Sequence, residues 1–180
     1  MLFRSVKNAF YSGNCCLPNG NRQPLHVDIG HLWPGLHKAH PAHALVINVP
    51  VVDMTPENGS TELWPGTHLD TTRAMGDGDI KIPEDVLERV RAEVQPLQPC
   101  VPAGSLLIRD MRLWHCGMPN YTQVARPMIA MIHWPRWYRT GDRLLFAKGS
   151  EALLADERLH TEAEFTDEPI DYIGRNNQYD

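Results

Sequence analysis

ALVINVPVVDMTPENGSTELWPG, residues 44–66, is a β-branched apolar run that stops at a turn. The run at 44–54 reads as a strand, and Asn58-Gly59 is a strong tight-turn signal. Residues 61–66 then read as the returning strand, stopped by Pro65-Gly66. The same grammar recurs downstream. CVPAGSLLIRDMRLWHCG (100–117) has a turn at 102–104 and then an apolar strand, and RPMIAMIHWPRW (126–137) is a strand ended by Pro135. Between them, KIPEDVLERVRAEV (81–94) predicts a helix. Pro83 sits where a first turn tolerates it, acids follow at 84 and 85, and Val86, Leu87, Val90 and Val94 fall at helical spacing. GSEALLADERLH (149–160) is a second helical candidate, and residues 161–180 read as an irregular tail. Short strands at close intervals predict a mainly β chain, a sandwich or barrel, with one or two flanking helices.

Composition narrows the function classes. At 180 residues the chain is long enough for one domain, spanning 1–180, with a real core. A net charge of −5 gives no reason to expect nucleic acid or an anionic membrane as partner. No apolar run reaches the ~20 residues of a membrane span. The start MLFRSVKNAF lacks the apolar core of a signal peptide, so a cytoplasmic protein is expected. The four Cys, at 15, 16, 100 and 116, form no CxxC pairing and read as reduced thiols.

Chemistry-bearing residues start in RQPLHVDIGHLWPG (22–35), where His26 and Asp28 stand two apart. A lone His-x-Asp is weak, since chance alone supplies roughly 0.6 per chain of this composition. A second match exists, His68 and Asp70. On an extended segment, residues i and i+2 share a face, so one strand end can offer both donors of a pair. His115, before a turn in RLWHCGMPN, can add a third. Two His and one carboxylate leave positions open on a metal, which suits non-haem Fe(II) binding a co-substrate and O2; thiolate is not wanted, so Cys116 is a bystander. The first pair is preferred. Asp28 and His115 are 87 residues apart, room for several strand passes, whereas Asp70 lies 45 before His115 with the predicted helix between, and His68 follows a Pro-Gly turn.

Arg126 opens the strand 11 residues beyond His115. Its planar fork matches a carboxylate, so it is the candidate to hold a dicarboxylate beside an open iron. Period 2 places Met128, Ala130, Ile132 and Trp134 on its face and His133, read as structural, on the other. His31, His37, His40 and His43 in HLWPGLHKAHPAH read as a loop at the site's mouth in preference to a second metal site, with His31 and Trp33 candidates to touch substrate. Trp64 and Trp114 read as core.

HVD, then TPENGSTELWPGTH, then LIRDMRLWHCGMPN…ARP, taken in order, resemble the phytanoyl-CoA dioxygenase family of iron(II)/2-oxoglutarate-dependent oxygenases over about residues 22–137. The resemblance implies a double-stranded β-helix, the jelly-roll or cupin-like core. It implies His26, Asp28 and His115 as iron ligands, Arg126 as the anchor of the 2-oxoglutarate C5 carboxylate, and Asn48 as a further contact to 2-oxoglutarate. It also implies oxidation of a small organic molecule with release of succinate and CO2. With Asp28 present, hydroxylation or a related oxidation is expected in place of halogenation, for which a small residue replaces the carboxylate. Two readings stay open beside it: a cupin-like isomerase or hydrolase using Zn2+ or Mn2+ on the same ligands, and a non-catalytic relict. Family members usually carry a longer lead than the 25 residues before His26. An uncovered sheet edge would follow, and with it either a homo-oligomer or a chain that is marginally stable and weakly active.

Overall fold

The computed structural model describes residues 5–72, 80–141 and 143–171. Among the described residues nine strands dominate: β1 (Val6–Cys16), β2 (Leu45–Pro50), β3 (Glu62–Leu63), β4 (Leu107–Asp110), β5 (His115–Cys116), β6 (Arg126–Pro135), β7 (Leu144–Ala147), β8 (Leu159–Thr161) and β9 (Ala163–Thr166). Two short helices, α1 (Glu84–Arg91) and α2 (Glu151–Leu154), accompany them. The major sheet runs β4-β2-β6-β1-β8. Facing it is a minor layer around the antiparallel pair β3–β5, extended by bridges Leu63–Leu97, His115–His26 and His26–Lys81. The arrangement is mainly β, as the strand pattern predicted, and is the jelly roll that the family resemblance implied.

Alternation explains which faces are buried. In β6, Arg126, Met128, Ala130 and Trp134 are buried on one face, with Ile132 of the same face half-buried, and residues 127, 129, 131 and 133 of the other face are less buried. Direct pairing puts Asn48 of β2 against Ala130 and Arg109 of β4 against Val46, so Arg126, Asn48 and Arg109 share the inner face. In the minor layer Leu25, Val27, Trp114 and Cys116 turn outward into a cluster with Trp64, Ile82 and Leu87 of α1. Their neighbours His26, Asp28 and His115 therefore take the opposite face. Trp64 and Trp114 are core residues, as their context predicted.

Several sequence expectations are corrected. Residues 44–66 are not a hairpin: β2 pairs with β4 and β6, whereas β3 pairs with β5 in the other layer. The Asn58-Gly59 turn is real but changes sheets. Pro56–Asn58 form a 3-10 turn closed by the Asn58 side chain, which accepts from the Thr55 amide at 2.8 Å and donates to the Asp53 carbonyl at 2.7 Å. The second helix ends at Leu154, because the Asp156 carboxylate accepts from the Arg158 and Leu159 amides and turns the chain into β8. The expected irregular tail contains β9, parallel to β7 with Phe146 and Phe165 opposed; residues 172–180 lie outside the described residues. The lead before His26 carries β1, hydrogen-bonded to β6 on one side and β8 on the other. Among the described residues no helix is long and apolar enough to cross a membrane.

Gly59 has φ 80°, and a Cβ there would meet the Met118 carbonyl oxygen at 2.6 Å and Cys16 Sγ at 2.8 Å. Backbone strain and overpacking together should make Gly59→Ala about 3 kcal/mol less stable. Urea denaturation checks this, and a change below about 0.5 kcal/mol would mean the turn relaxes freely.

Candidate metal centre

His26 and His115 are directly opposed in the minor layer. Each backbone N–H donates to the other's carbonyl at 3.0 Å, which fixes both imidazoles on one side. Their ring centroids are 4.3 Å apart. Asp28, two residues on, is tied to the adjoining segment by its amide, which donates to the Met111 carbonyl at 3.0 Å. One donor atom from each of His26, Asp28 and His115 lies within 4.8 Å of the others, and among the described residues this is the one group with such convergence. Asp28 Oδ1 is 3.4 Å from His115 Nε2 and 4.0 Å from His26 Nε2.

The tautomers follow from the carbonyls. His26 Nδ1 faces the Pro24 carbonyl at 2.8 Å, and His115 Nδ1 faces the Leu113 carbonyl at 2.9 Å. A carbonyl only accepts, so each Nδ1 carries a proton, and Nε2 is the atom each ring can offer a metal. Burial, reinforced by the neighbouring His115, pushes the His26 pKa down and keeps that ring neutral. Burial disfavours the Asp28 charge, but the Arg109 guanidinium and His115 outweigh it and hold the carboxyl well below the usual range. Two imidazoles that can each offer Nε2, with an ionised carboxylate, match the donor set of a non-haem Fe(II) site with open positions.

The competing pair is dispersed. His68 lies in a 3-10 turn (Thr67–Leu69), and the Asp70 carboxylate is occupied by the Thr72 amide and hydroxyl. Cys116 points away from the triad, towards Glu62 and Met118; burial and Glu62 push its thiol up to about 12, so it stays protonated. Arg126 is buried, its Nη2 donating to the Gly59 carbonyl at 2.8 Å while its Nε has no hydrogen-bond partner. Asn48 is buried on the same inner face. Arg109 was not anticipated. Its Nη1 stands 2.7 Å from Asp28 Oδ2 and its side chain is 10% exposed. The only available signal was a charge inside the apolar run LLIRD, which Arg109 shares with Asp110.

A sequence model of the phytanoyl-CoA dioxygenase family matches residues 12–128, well over half of the chain. The chain belongs to the phytanoyl-CoA dioxygenase family. Solved structures show the same fold. EctD from S. alaskensis with bound Fe is 21% identical with a TM-score of 0.61, over 77% of this chain and 48% of that one. AviO1 from Streptomyces viridochromogenes Tue57 is 22% identical with a TM-score of 0.57, over 75% and 53%. SnoK, a non-haem α-ketoglutarate-dependent carbocyclase from nogalamycin biosynthesis, is 17% identical with a TM-score of 0.56, over 83% and 57%. The chain spans about half the length of each of these structures.

In this phytanoyl-CoA dioxygenase family member the histidine-rich loop is organised by Arg112. Its Nε and Nη2 donate to the Asp110 carboxylate, and its Nη1 donates to the His40 carbonyl at 2.9 Å and to His31 Nδ1 at 3.1 Å. A guanidinium among these rings opposes a second cation. His31 is buried and bonds the Asp70 carbonyl through Nε2, whereas Trp33 is exposed with its edge against His40. His133 is half-buried on the outer face, as its parity predicted.

His43 is fully buried beside His40, Trp134 and Tyr138, and neither ring nitrogen has a hydrogen-bond partner. Burial, followed by the nearby His40 and Arg112, lowers its pKa from 6.5 to about 4. The unfolded chain therefore binds this proton first. Stability from a neutral His43 is whole above pH 6.5 and falls as the pH drops towards 4, by about 3 kcal/mol. His43→Phe should remove most of that acid loss. Urea unfolding at pH 7 and pH 4 checks it; identical pH dependence in parent and variant would exclude His43 as the source.

Proposed function

We propose that the chain is an Fe(II)/2-oxoglutarate-dependent dioxygenase that hydroxylates or otherwise oxidises a small organic molecule, with succinate and CO2 as co-products. The observation that carries this reading is the convergence of His26 Nε2, His115 Nε2 and Asp28 Oδ1, with both Nδ1 protons already committed to carbonyls. Family membership and the Fe and 2-oxoglutarate seen in EctD structures support it. Bound there, iron with 2-oxoglutarate and O2 would supply the oxidising power to break a substrate C–H bond.

The chain's own residues hold and orient. His26, Asp28 and His115 present one face of donors to the metal and leave the other face to exchangeable ligands. Arg126 holds the C5 carboxylate of 2-oxoglutarate through the donors that Gly59 does not use, with Asn48 a second polar contact on the same sheet face. The aliphatic and aromatic neighbours on that face, Val46, Ala130 and Trp134, are buried and keep water from the reacting atoms. A cytoplasmic location and a small-molecule partner belong to the same reading. The test is O2 uptake with Fe(II) and 2-oxoglutarate, followed by succinate assay. Succinate formed in step with O2 uptake is expected. Turnover that needs Zn2+ or Mn2+ but no 2-oxoglutarate would replace this reading with a cupin-like isomerase or hydrolase, and no metal-dependent turnover at all would favour a relict.

A further inference from the structure

The two oxygens of Asp28 face different groups. Oδ1 turns to the two Nε2 atoms, whereas Oδ2 is 2.7 Å from Arg109 Nη1. The two residues come from different layers. Asp28 lies in the segment bonded to residues 111–115, and Arg109 projects from the inner face of β4, opposite Val46 of β2. The turn from β4 to β5 is short, and Asp110 at the end of β4 is engaged by Arg112 within that turn, so Arg109 is delivered by a fixed connection.

We propose that Arg109 is a positioning residue that holds Oδ2 of Asp28, so that the carboxylate offers a metal one oxygen and not both. This rests on the metal-site reading above. The physical reason is a contest for Oδ2. A carboxylate that swung to bidentate ligation would pull Oδ2 from the guanidinium and leave a nearly buried positive charge unpaired. Arg109 Nε and Nη1 are both buried without a hydrogen bond, so the ion pair with Asp28 Oδ2 is the contact that offsets the burial of that charge. One-oxygen ligation has a chemical consequence. Two imidazoles and a single oxygen fill three positions of a six-coordinate metal, leaving two for a chelating 2-oxo acid and one more. A bidentate Asp28 would close that last position.

The experiment uses Co(II) as a spectroscopic probe, with Arg109→Met, Arg109→Gln and Arg109→Lys beside the parent. Circular dichroism of each metal-free variant is recorded first. Arg109→Met and Arg109→Gln should bind Co(II) about 10- to 100-fold more weakly. Their visible d–d bands should change shape, reporting altered coordination. Arg109→Lys, which keeps a cation at Oδ2, should recover the parent spectrum and most of the affinity. A merely structural ion pair would change the unfolding midpoint but not the spectrum. Folded Arg109→Met and Arg109→Gln with parental affinity and bands would overturn the proposal, as would loss of fold in both. If the parent itself binds no Co(II), the metal-site reading has failed and takes this inference with it.

Discussion

His115→Ala should abolish Fe(II) binding at stoichiometric protein and metal, whereas His68→Ala should leave it at the parental level. The asymmetry follows from placement. His115 supplies one of three convergent donor atoms, and His68 belongs to a turn outside that group. Removing His115 leaves two donors, too few to displace the water around Fe(II) with useful affinity. The variant should nevertheless fold. The reciprocal His26–His115 bonds are made by the backbone, and Asp28 keeps Arg109 as its counter-charge. Anaerobic equilibrium dialysis with matched circular dichroism reads both quantities. Parental binding in both variants would show that the triad is not the metal site.

Arg126→Met should weaken 2-oxoglutarate by roughly 30- to 100-fold and Fe(II) by less than about twofold. A charge-assisted contact to a carboxylate is worth about 2–3 kcal/mol once the partner is left desolvated and unpaired. Arg126 is not one of the three metal donors, so the metal should not register its loss directly. It does donate to the Gly59 carbonyl, and that bond's loss should cost about 1 kcal/mol of stability. Arg126→Lys separates the two effects, because an ammonium keeps the charge without the planar fork. The readout is an anaerobic titration of 2-oxoglutarate into the Fe(II) protein, following the metal-to-ligand charge-transfer band. Equal affinity in parent and Arg126→Met would remove Arg126 from the co-substrate site.

The parts of this molecule legible in sequence are those where local pattern and global role agree. The apolar runs that became β2 and β6 are buried on one face, so their composition states their fate. The helix at 84–91 carries its acids at the start and buries Leu87, and the periodicity is plain. The His-x-Asp pair became legible through its ordered context, since two matches were available and spacing favoured one. β1 was missed for a physical reason. Tyr11 and residues 13–15 are exposed, and a register shift between Asn8 and Phe10 breaks the alternation. Its polar residues find partners far away, as Lys7 does in Glu162 at 2.6 Å. β8 and β9 are short and polar, held by pairing with β1 and β7 and little by their own composition. Arg109 was opaque because an arginine in a strand reads as a solvated charge until its ion-pair partner, 81 residues earlier, is brought beside it.

The placement of β1 between β6 and β8 sets an order of events during synthesis. Val6 pairs with Pro135 and with Leu159, so neither neighbour exists until most of the chain has been made. β2 can find β4 earlier, and reaches both β4 and β6 across shorter separations than β1 must span. The growing chain must therefore carry an eleven-residue strand with open backbone groups while the rest of the sheet forms. Contacts of such long sequence separation make folding slow, and an unpaired strand that waits is a site for association with other unfolded chains. Yield of folded protein should consequently depend on how fast the last quarter of the chain follows the first, and slowing synthesis in that region, or raising the temperature during it, should divert more material to aggregates than the finished fold's stability would suggest.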